Sequence, residues 1–241
     1  MDAAYAAAYA ELAANHWWWQ AREARLLDRI RRLRRGLPPA RILDVGCGDG
    51  RLFPPLEAFG TVEGIEPDVA TLGATAPAGR RIHHVPFDAP LPVSGPYDLI
   101  LMLDVVEHLD APVERLRLAR SLLAPGGVLL VTVPALPALW TRHDLLNHHR
   151  RRYTQGELRR QLQAAGLGRV DVRYAFHALA AAKLAVRLRE QLRHELPVVP
   201  RLPAPWINRM ARRYHLLEGT LLGPFARWLP GSSLIATAST T

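Results

Sequence analysis

Residues 41–50 constrain the fold of this chain more than any other segment, because a short apolar run there ends in alternate glycines. Glycine adopts positive φ easily, and without a Cβ it lets a ligand approach the backbone closely. A second strand-like run, residues 62–65, ends at Glu66, which lies twenty residues after Gly46. A carboxylate at that distance suits the ribose of a nucleotide, because it accepts hydrogen bonds from both hydroxyls.

Five stretches resemble, in the expected order, the motifs of class I S-adenosylmethionine-dependent methyltransferases. They are residues 43–50 (LDVGCGDG), 64–67 (GIEP), 87–88 (FD), 97–109 (YDLILMLDVVEHL) and 122–134 (LLAPGGVLLVTVP). The resemblance covers roughly residues 40–175. It implies S-adenosylmethionine as cofactor, S-adenosylhomocysteine as product and an α/β fold. The resemblance does not identify a substrate.

Dinucleotide-dependent dehydrogenases are the competing family, since they also combine a glycine-rich turn with a distal acid. Their turn reads G-x-G-x-x-G and opens a helix whose amides face a pyrophosphate. This chain instead has G-x-G-x-G preceded by Asp44, and prolines 54 and 55 delay the next helix. A carboxylate suits the ammonium group of S-adenosylmethionine better than a pyrophosphate. Asp44 therefore favours the methyl donor.

The order of elements predicts a Rossmann-like, seven-stranded, mostly parallel sheet with helices on both faces. The strand candidates are residues 41–45, 61–66, 81–86, 98–103, 128–133, 169–175 and 233–237. Within a single domain we expect a helical N-terminal cap, a cofactor-binding core, a helical insertion before the last strand and that strand itself. The corresponding ranges are 1–36, 37–175, 176–231 and 232–241.

The resemblance also implies roles for residues at the ends of the strands. We expect Asp44, Gly46 and Gly48 to hold the methionine end of the cofactor, with Cys47 as a small residue packed beneath the turn. Glu66 should bind the ribose hydroxyls, and Pro67 should lie beside the adenine.

Five further positions are assigned through the same family. Asp88 should accept from the adenine amine while Phe87 flanks the ring, although capping of a helix is the alternative for Asp88. Leu103 and Asp104 should lie near the transferred methyl, and helix capping is equally open for Asp104. His108 belongs to a recurrent Glu-His-Leu context in which helix capping or packing in the cofactor pocket is typical.

The N-terminal segment contains three consecutive tryptophans, residues 17–19, between His16 and Arg22. Three neighbours cannot share one helix face, so at least one must point away from the core. Aromatic packing explains them, and a lid over the cofactor explains them equally well. In the lid interpretation, His16 or Arg22 reaches the carboxylate of the cofactor.

Histidines after the fifth strand are the candidate bases, since imidazole accepts a proton near neutral pH. The segment 143–154 resembles the part of the family that borders the acceptor, and we predict His143 or His148 as the base, with His108 as an alternative. We predict no metal, because the group formed by His143, Asp144, His148 and His149 matches no standard ligand spacing.

Charge and composition restrict the partners and the location. The net charge is +9, with one lysine and 30 arginines, yet no nucleic-acid-binding motif accompanies it. The single cysteine excludes an intramolecular disulfide, and the N-terminus lacks a signal-peptide pattern. Residues 121–141 are uncharged, but prolines and glycines interrupt them, so no transmembrane helix is predicted. We expect a cytoplasmic protein, with a peripheral position at the inner face of a membrane as a further option.

Two functions remain open on the sequence alone. The first is methyl transfer to a small or lipid-linked acceptor, most simply to a hydroxyl oxygen, with nitrogen or carbon as alternatives. The second is a non-catalytic binding module or membrane-surface protein with the same fold. Leu184, Leu188 and Leu192 form an apolar stripe in the insertion, opposite Lys183 and other polar residues. The stripe fits an anionic membrane surface, and it fits ordinary docking against the sheet.

Overall fold

A seven-stranded sheet forms the centre of the molecule, in a computed structural model that describes residues 11–68, 81–88, 90–193 and 201–240. Residues 1–10 of the expected cap, 194–200 of the expected insertion and residue 241 of the expected last strand lie outside the described residues. The strand order is β3-β2-β1-β4-β5-β7-β6. The strands are β1 Ala40–Val45, β2 Gly60–Ile65, β3 Ile82–His83, β4 Tyr97–Leu103, β5 Leu123–Pro134, β6 Gly168–Ala175 and β7 Ser233–Ser239.

The register of the parallel strands brings their carboxyl ends to one edge of the sheet. Val45 of β1 lies opposite Ile65 of β2 and Met102 of β4, so the loops after these strands emerge side by side. β7 runs antiparallel to both β5 and β6. The predicted mostly parallel, Rossmann-like sheet is confirmed, and ligands of such sheets bind beyond this edge.

Helices cover both faces of the sheet and create two cores. Leu26 and Ile30 of α1 pack with Ile42 and Leu99 on one face, whereas α3 and α5 pack on the other face around Val131. Complete burial of an aliphatic side chain stabilises the fold by about 1.5–3 kcal/mol. The helices are α1 Trp17–Leu33, α2 Phe53–Glu57, α3 Pro112–Ser121, α4 Arg142–Leu146, α5 Gln155–Ala164, α6 His177–Arg193 and α7 Pro205–Leu222.

Three elements differ from the sequence-based boundaries. The expected N-terminal helix is interrupted at His16, whose extended backbone and ring nitrogen cap α1. The strand expected at 81–86 shrinks to two residues, because the Val85 amide bonds within a local turn and Pro86 has no amide to donate. The strand expected at 128–133 begins five residues earlier, since β5 already starts at Leu123.

The segment between β6 and β7 is helical in its described part, as expected. It contains α6, α7 and a short 3₁₀ helix, Gly223–Phe225. α7 packs on α1, where the ring of His215 stacks on that of Trp17 with centroids 4.6 Å apart. Throughout the ranges that the structure describes, no helix combines the length and apolar character required to span a bilayer.

Candidate functional site

The turn after β1 is shaped by two glycines in the left-handed region. Gly46 has φ of +72°, and a Cβ there would lie 2.5 Å from Cγ2 of Val105, in the loop after β4. Gly48 has φ of +57° and faces open space. A side chain at Gly46 would separate the two loops, whereas one at Gly48 would enter the space above the turn. The turn therefore leaves room for a ligand against its backbone.

Glu66 is fixed beside this turn by two backbone amides. Its Oε2 accepts from the Gly48 amide at 2.9 Å, and its Oε1 accepts from the Asp68 amide at 3.0 Å. Each carboxylate oxygen has a second acceptor position, so both remain able to accept from a ribose hydroxyl. Pro67 is exposed next to the carboxylate, at the rim where an adenine would lie.

Asp44 is a buried carboxyl group at the end of β1. Burial, together with the charge of Glu66, raises its pKa to about 7, even though the Arg22 guanidinium favours the charged form. Two neighbouring buried carboxylates repel each other when both are ionised. A cationic ligand would relieve that repulsion. The ammonium and sulfonium groups of S-adenosylmethionine supply such a charge, so the residues present fit this cofactor.

Cys47 packs beneath the turn, as expected for a small residue at this position. Its Sγ lies against Gly64, where a Cβ would approach it to 2.4 Å. Burial and the charges of Asp44 and Glu66 raise the pKa of its thiol, so the reactive thiolate is suppressed. The thiol thus fills space between β2 and the cofactor turn.

The end of β4 is held by a three-residue network. Asp104 follows Leu103 and has a φ of 58°, which is uncommon outside glycine. Its carboxylate pairs with Arg22 at 2.7 Å and accepts from Oγ1 of Thr132 at 2.8 Å. Arg22 also donates to Thr132. Backbone strain of this kind persists where surrounding contacts impose it, and it clusters at functional sites.

The remaining expected adenine contacts lie after β3. Phe87 is buried, and Asp88 is half-buried and forms an ion pair with Arg115 of α3. The partner of Asp88 is thus a side chain of the following helix rather than that helix's backbone. A contact between Asp88 and the adenine amine stays a prediction.

The three tryptophans of α1 point in different directions. Trp17 stacks on His215, Trp18 lies near Phe176 and Trp19 is buried. His16 caps the helix through Nδ1, and burial lowers its pKa. Its ring is therefore neutral. The tryptophans fix the start of α1 so that Arg22, one turn later, reaches Asp104.

A buried carboxylate organises the loop after β5. Asp144 accepts two hydrogen bonds from the Arg152 guanidinium, each 3.0 Å long, and one from Nδ1 of His149 at 2.8 Å. It also accepts from the Thr141 amide, which caps α4. Burial would raise the pKa of Asp144, but the hydrogen bond from His149 and the charge of Arg152 hold it well below its usual range. An ionised carboxylate only accepts, so Nδ1 of His149 carries a proton, and in the neutral form of the ring Nε2 is the acceptor.

Glu107 and His108 lie on the other side of His149. Burial raises the pKa of Glu107 well above its usual range, and His149 Nε2 lies 3.9 Å from its Oε1. Burial and His149 lower the pKa of His108 to about 4. One ligand atom from each of the three residues falls within a 4.8 Å group. Burial disfavours the charged form of Glu107, which is the form that binds a cation. The absence of a metal stays a prediction.

The two histidines expected to act as base are placed differently. Burial lowers the pKa of His143 to about 3, and its Nε2 lies 3.1 Å from the Asn147 amide nitrogen. His148 is exposed with φ of 55°, and its backbone carbonyl accepts from Nδ1 of His108. These positions do not test whether either histidine acts as the base, so both assignments stay predictions.

Sequence reasoning missed the pairing of Asp144 with His149 and the part played by Thr132. The sequence contains only weak indications of these two contacts. Asp144 and His149 are five residues apart across a short helix, and Thr132 occurs in an apolar strand that ends near the cofactor motifs.

Comparisons with known proteins agree with this geometry. The model of a methyltransferase domain family matches residues 18–172. A ubiquinone biosynthesis O-methyltransferase of Caulobacter sp. (strain K31) is 37% identical over 99 residues, which cover 38% of this chain and 39% of that protein. The enzyme of the same name from Xanthomonas campestris pv. campestris (strain B100) is 30% identical over 142 residues, or 52% of this chain and 59% of that protein. The chain thus aligns with between two fifths and three fifths of these relatives.

Solved structures share the fold. A crystal structure of a possible histamine N-methyltransferase from Thermotoga maritima has a TM-score of 0.57 at 17% identity, covering 93% of both chains. The class I S-adenosylmethionine-dependent family predicted from the sequence is confirmed, and with it the cofactor. This chain belongs to the methyltransferase domain family.

Proposed function

We propose that this chain transfers the methyl group of S-adenosylmethionine to a hydroxyl oxygen of a small, lipophilic acceptor. The observation that carries the proposal is the Asp144–His149 pair, which presents a free imidazole nitrogen close to Glu107 in the loop after β4. A hydroxyl must lose its proton as its oxygen is methylated, and an imidazole held by a carboxylate is a common acceptor for such a proton.

The proposed roles account for every atom of the reaction. The acceptor oxygen forms a bond to the methyl carbon as the bond from that carbon to sulfur breaks, and the electron pair stays on sulfur. The hydroxyl proton moves to Nε2 of His149. Asp144 stabilises the resulting imidazolium, while Arg152 keeps the carboxylate ionised. Asp44 and Glu66 hold the cofactor in position for in-line attack.

His149 replaces His143 and His148 as the proposed base for physical reasons. His143 has a pKa of about 3 in its buried position, so it is a weak proton acceptor. His148 is exposed, and no carboxylate in the described part of the chain is paired with its ring. His149 is oriented by the buried Asp144 carboxylate, which accepts from its Nδ1 at 2.8 Å.

The choice of oxygen and of a lipophilic acceptor rests on two supports. The relatives named above carry O-methyltransferase names, and a base is required for a hydroxyl more than for a neutral amine. A lipid-linked acceptor would be met from a peripheral position at the inner face of a membrane, where the surface is anionic. Transfer to nitrogen or carbon is the alternative reaction, and a binding module without catalysis is the alternative class.

The test is formation of S-adenosylhomocysteine with a panel of phenols, amines and carbon acids, including phenols with prenyl chains. We expect turnover with phenols. His149→Ala and His149→Gln should reduce it about 10²–10⁴-fold while affinity for S-adenosylmethionine stays unchanged. His149→Gln keeps a donor toward Asp144, so a loss in that variant reports the missing base rather than a damaged loop.

His148→Ala is the matched control, since it removes the exposed neighbouring imidazole. Full turnover in both His149 variants would refute the assigned base. Transfer to amines alone would refute the hydroxyl acceptor, and no transfer to any acceptor would favour the binding module.

A further inference from the structure

The amphipathic helix α6 is oriented with its apolar side outward. Leu184, Leu188 and Leu192 are 45%, 53% and 83% exposed. Of the two interpretations of this stripe, docking against the sheet therefore does not fit the structure. Three leucines in a row, one turn apart, leave a continuous apolar strip in contact with water, which is unfavourable unless another surface covers it.

Polar groups fix this inverted orientation from the inner side of α6. Nη1 of Arg187 donates to the carbonyl oxygens of Pro137 and Ala138 at 3.1 and 2.8 Å. Oε2 of Glu190 accepts from the Arg142 amide at 3.1 Å. The outward leucine face is thus held by specific bonds to the loop that leads into α4.

α7 exposes a second apolar face. Its members recur at helical spacing and are each between 51% and 64% exposed: Trp206, Met210, Tyr214, Leu217 and Leu221. The opposite side of α7 is anchored to α1, since Glu218 pairs with Arg25 at 3.5 Å and His215 stacks on Trp17. The α7 face is therefore turned away from the core by its own buried contacts.

The surroundings of both faces are cationic. Residues 176–231 contain nine basic and three acidic residues. Two of the acidic residues, Glu190 and Glu218, are bound to protein donors. Arg209, Arg212 and Arg213 are exposed on α7, and at 100° per residue they follow one side of the apolar face. None of them pairs with a carboxylate among the residues that the structure describes.

We infer that the apolar faces of α6 and α7 dock on an anionic lipid surface. Apolar side chains flanked by arginines suit the boundary between headgroups and acyl chains, where the charges meet acidic lipids. A second copy of the chain fits less well, because a two-fold contact between α7 faces would bring the same arginines together. The inference deepens the proposed function by naming the surface that meets a lipid-linked acceptor. It rests on the proposed function only for the reason to bind lipid, and the docking itself is argued from the two helices.

Co-sedimentation with vesicles tests the inference without cofactor or acceptor. We expect binding to phosphatidylcholine vesicles that contain phosphatidylglycerol, weak binding to phosphatidylcholine alone, and a decrease as salt screens the charges. The double variants Leu188→Glu/Leu192→Glu and Met210→Glu/Leu217→Glu should each weaken binding at least about tenfold. Leu37→Glu is the matched control, because Leu37 is also about half exposed but precedes β1, at the opposite edge of the sheet.

Unchanged vesicle binding in both double variants would overturn the inference, as would equal binding to neutral vesicles. A dimer seen by light scattering without lipid, and dissociated by the double variants, would overturn it in favour of a second copy. The two proposals fail separately. Vesicle binding by a chain that methylates no acceptor would refute only the enzymatic proposal, whereas turnover of a water-soluble phenol without vesicle binding would refute only the docking surface.

Discussion

Replacement of Asp44 by Asn separates the stability of the protein from its affinity for the cofactor. The pKa of this buried carboxyl group rises from 3.8 to about 7. Each pKa unit corresponds to 1.36 kcal/mol, so ionising Asp44 in the folded protein costs about 4 kcal/mol more than in the unfolded chain. Asn has a similar shape and cannot ionise, and therefore avoids this cost.

The sign of the pH dependence follows from linkage. Between about pH 4 and pH 7 the folded protein retains the proton of Asp44 while the unfolded chain releases it, so the free energy of unfolding decreases as the pH rises. In Asp44→Asn this contribution is absent. The variant should therefore be more stable than the wild type at pH 8, by up to about 4 kcal/mol, and nearly equal to it near pH 4.

Urea unfolding of both proteins at pH 4, 6 and 8, without cofactor, measures this difference. Calorimetry in parallel should show affinity for S-adenosylmethionine reduced at least about tenfold in the variant, because a charged hydrogen bond is worth about 1.5–3 kcal/mol. Wild-type affinity should weaken below pH 7, where Asp44 must lose its proton to meet the ammonium group. A stability difference that does not change with pH would refute the reasoning.

Three further outcomes are expected. Glu66→Ala should weaken cofactor binding at least about tenfold in calorimetry, and unchanged affinity would exclude a ribose contact. Asp144→Asn should lower the free energy of unfolding by about 3–5 kcal/mol in urea, because the Arg152 charge stays buried without its partner. The wild type should lose this contribution as the pH falls below about 4, toward the depressed pKa of Asp144. A difference in the free energy of unfolding of less than about 1 kcal/mol between the variant and the wild type would contradict the buried pair. Turnover should withstand a chelator, since burial raises the pKa of Glu107 and so disfavours the carboxylate form that binds a metal ion. A loss of turnover that Mg²⁺ reverses would show a metal requirement.

The cofactor edge of the fold could be predicted because its determinants are local. The strand at 40–45, the glycine turn and Glu66 lie within 27 residues of sequence, and parallel pairing of β1 with β2 follows from that spacing. The glycines report backbone conformations that other residues rarely adopt. The positions of these groups could therefore be predicted from the local sequence alone.

The acceptor side was not recoverable in the same way. The proposal of His149 as the base rests on its hydrogen bond to the Asp144 carboxylate, a side-chain contact that neither the spacing nor the periodicity of the sequence reveals. Periodicity also failed for α6. It identifies an apolar stripe but not the direction in which the stripe points, which here is set by bonds from Arg187 to backbone carbonyls.

The two sides of the molecule attract charges of opposite sign. Asp44, Glu66 and Asp104 make the edge beyond β1 and β4 anionic, which suits a cationic methyl donor. The insertion is strongly basic, which suits an anionic surface. α6 lies at the boundary, since its inner side bonds to the loop that leads to Asp144 and His149 while its leucines point outward. Under the two proposals together, an acceptor would reach His149 from the lipid surface on which α6 docks, with its lipid tail held in the membrane while its hydroxyl reacts.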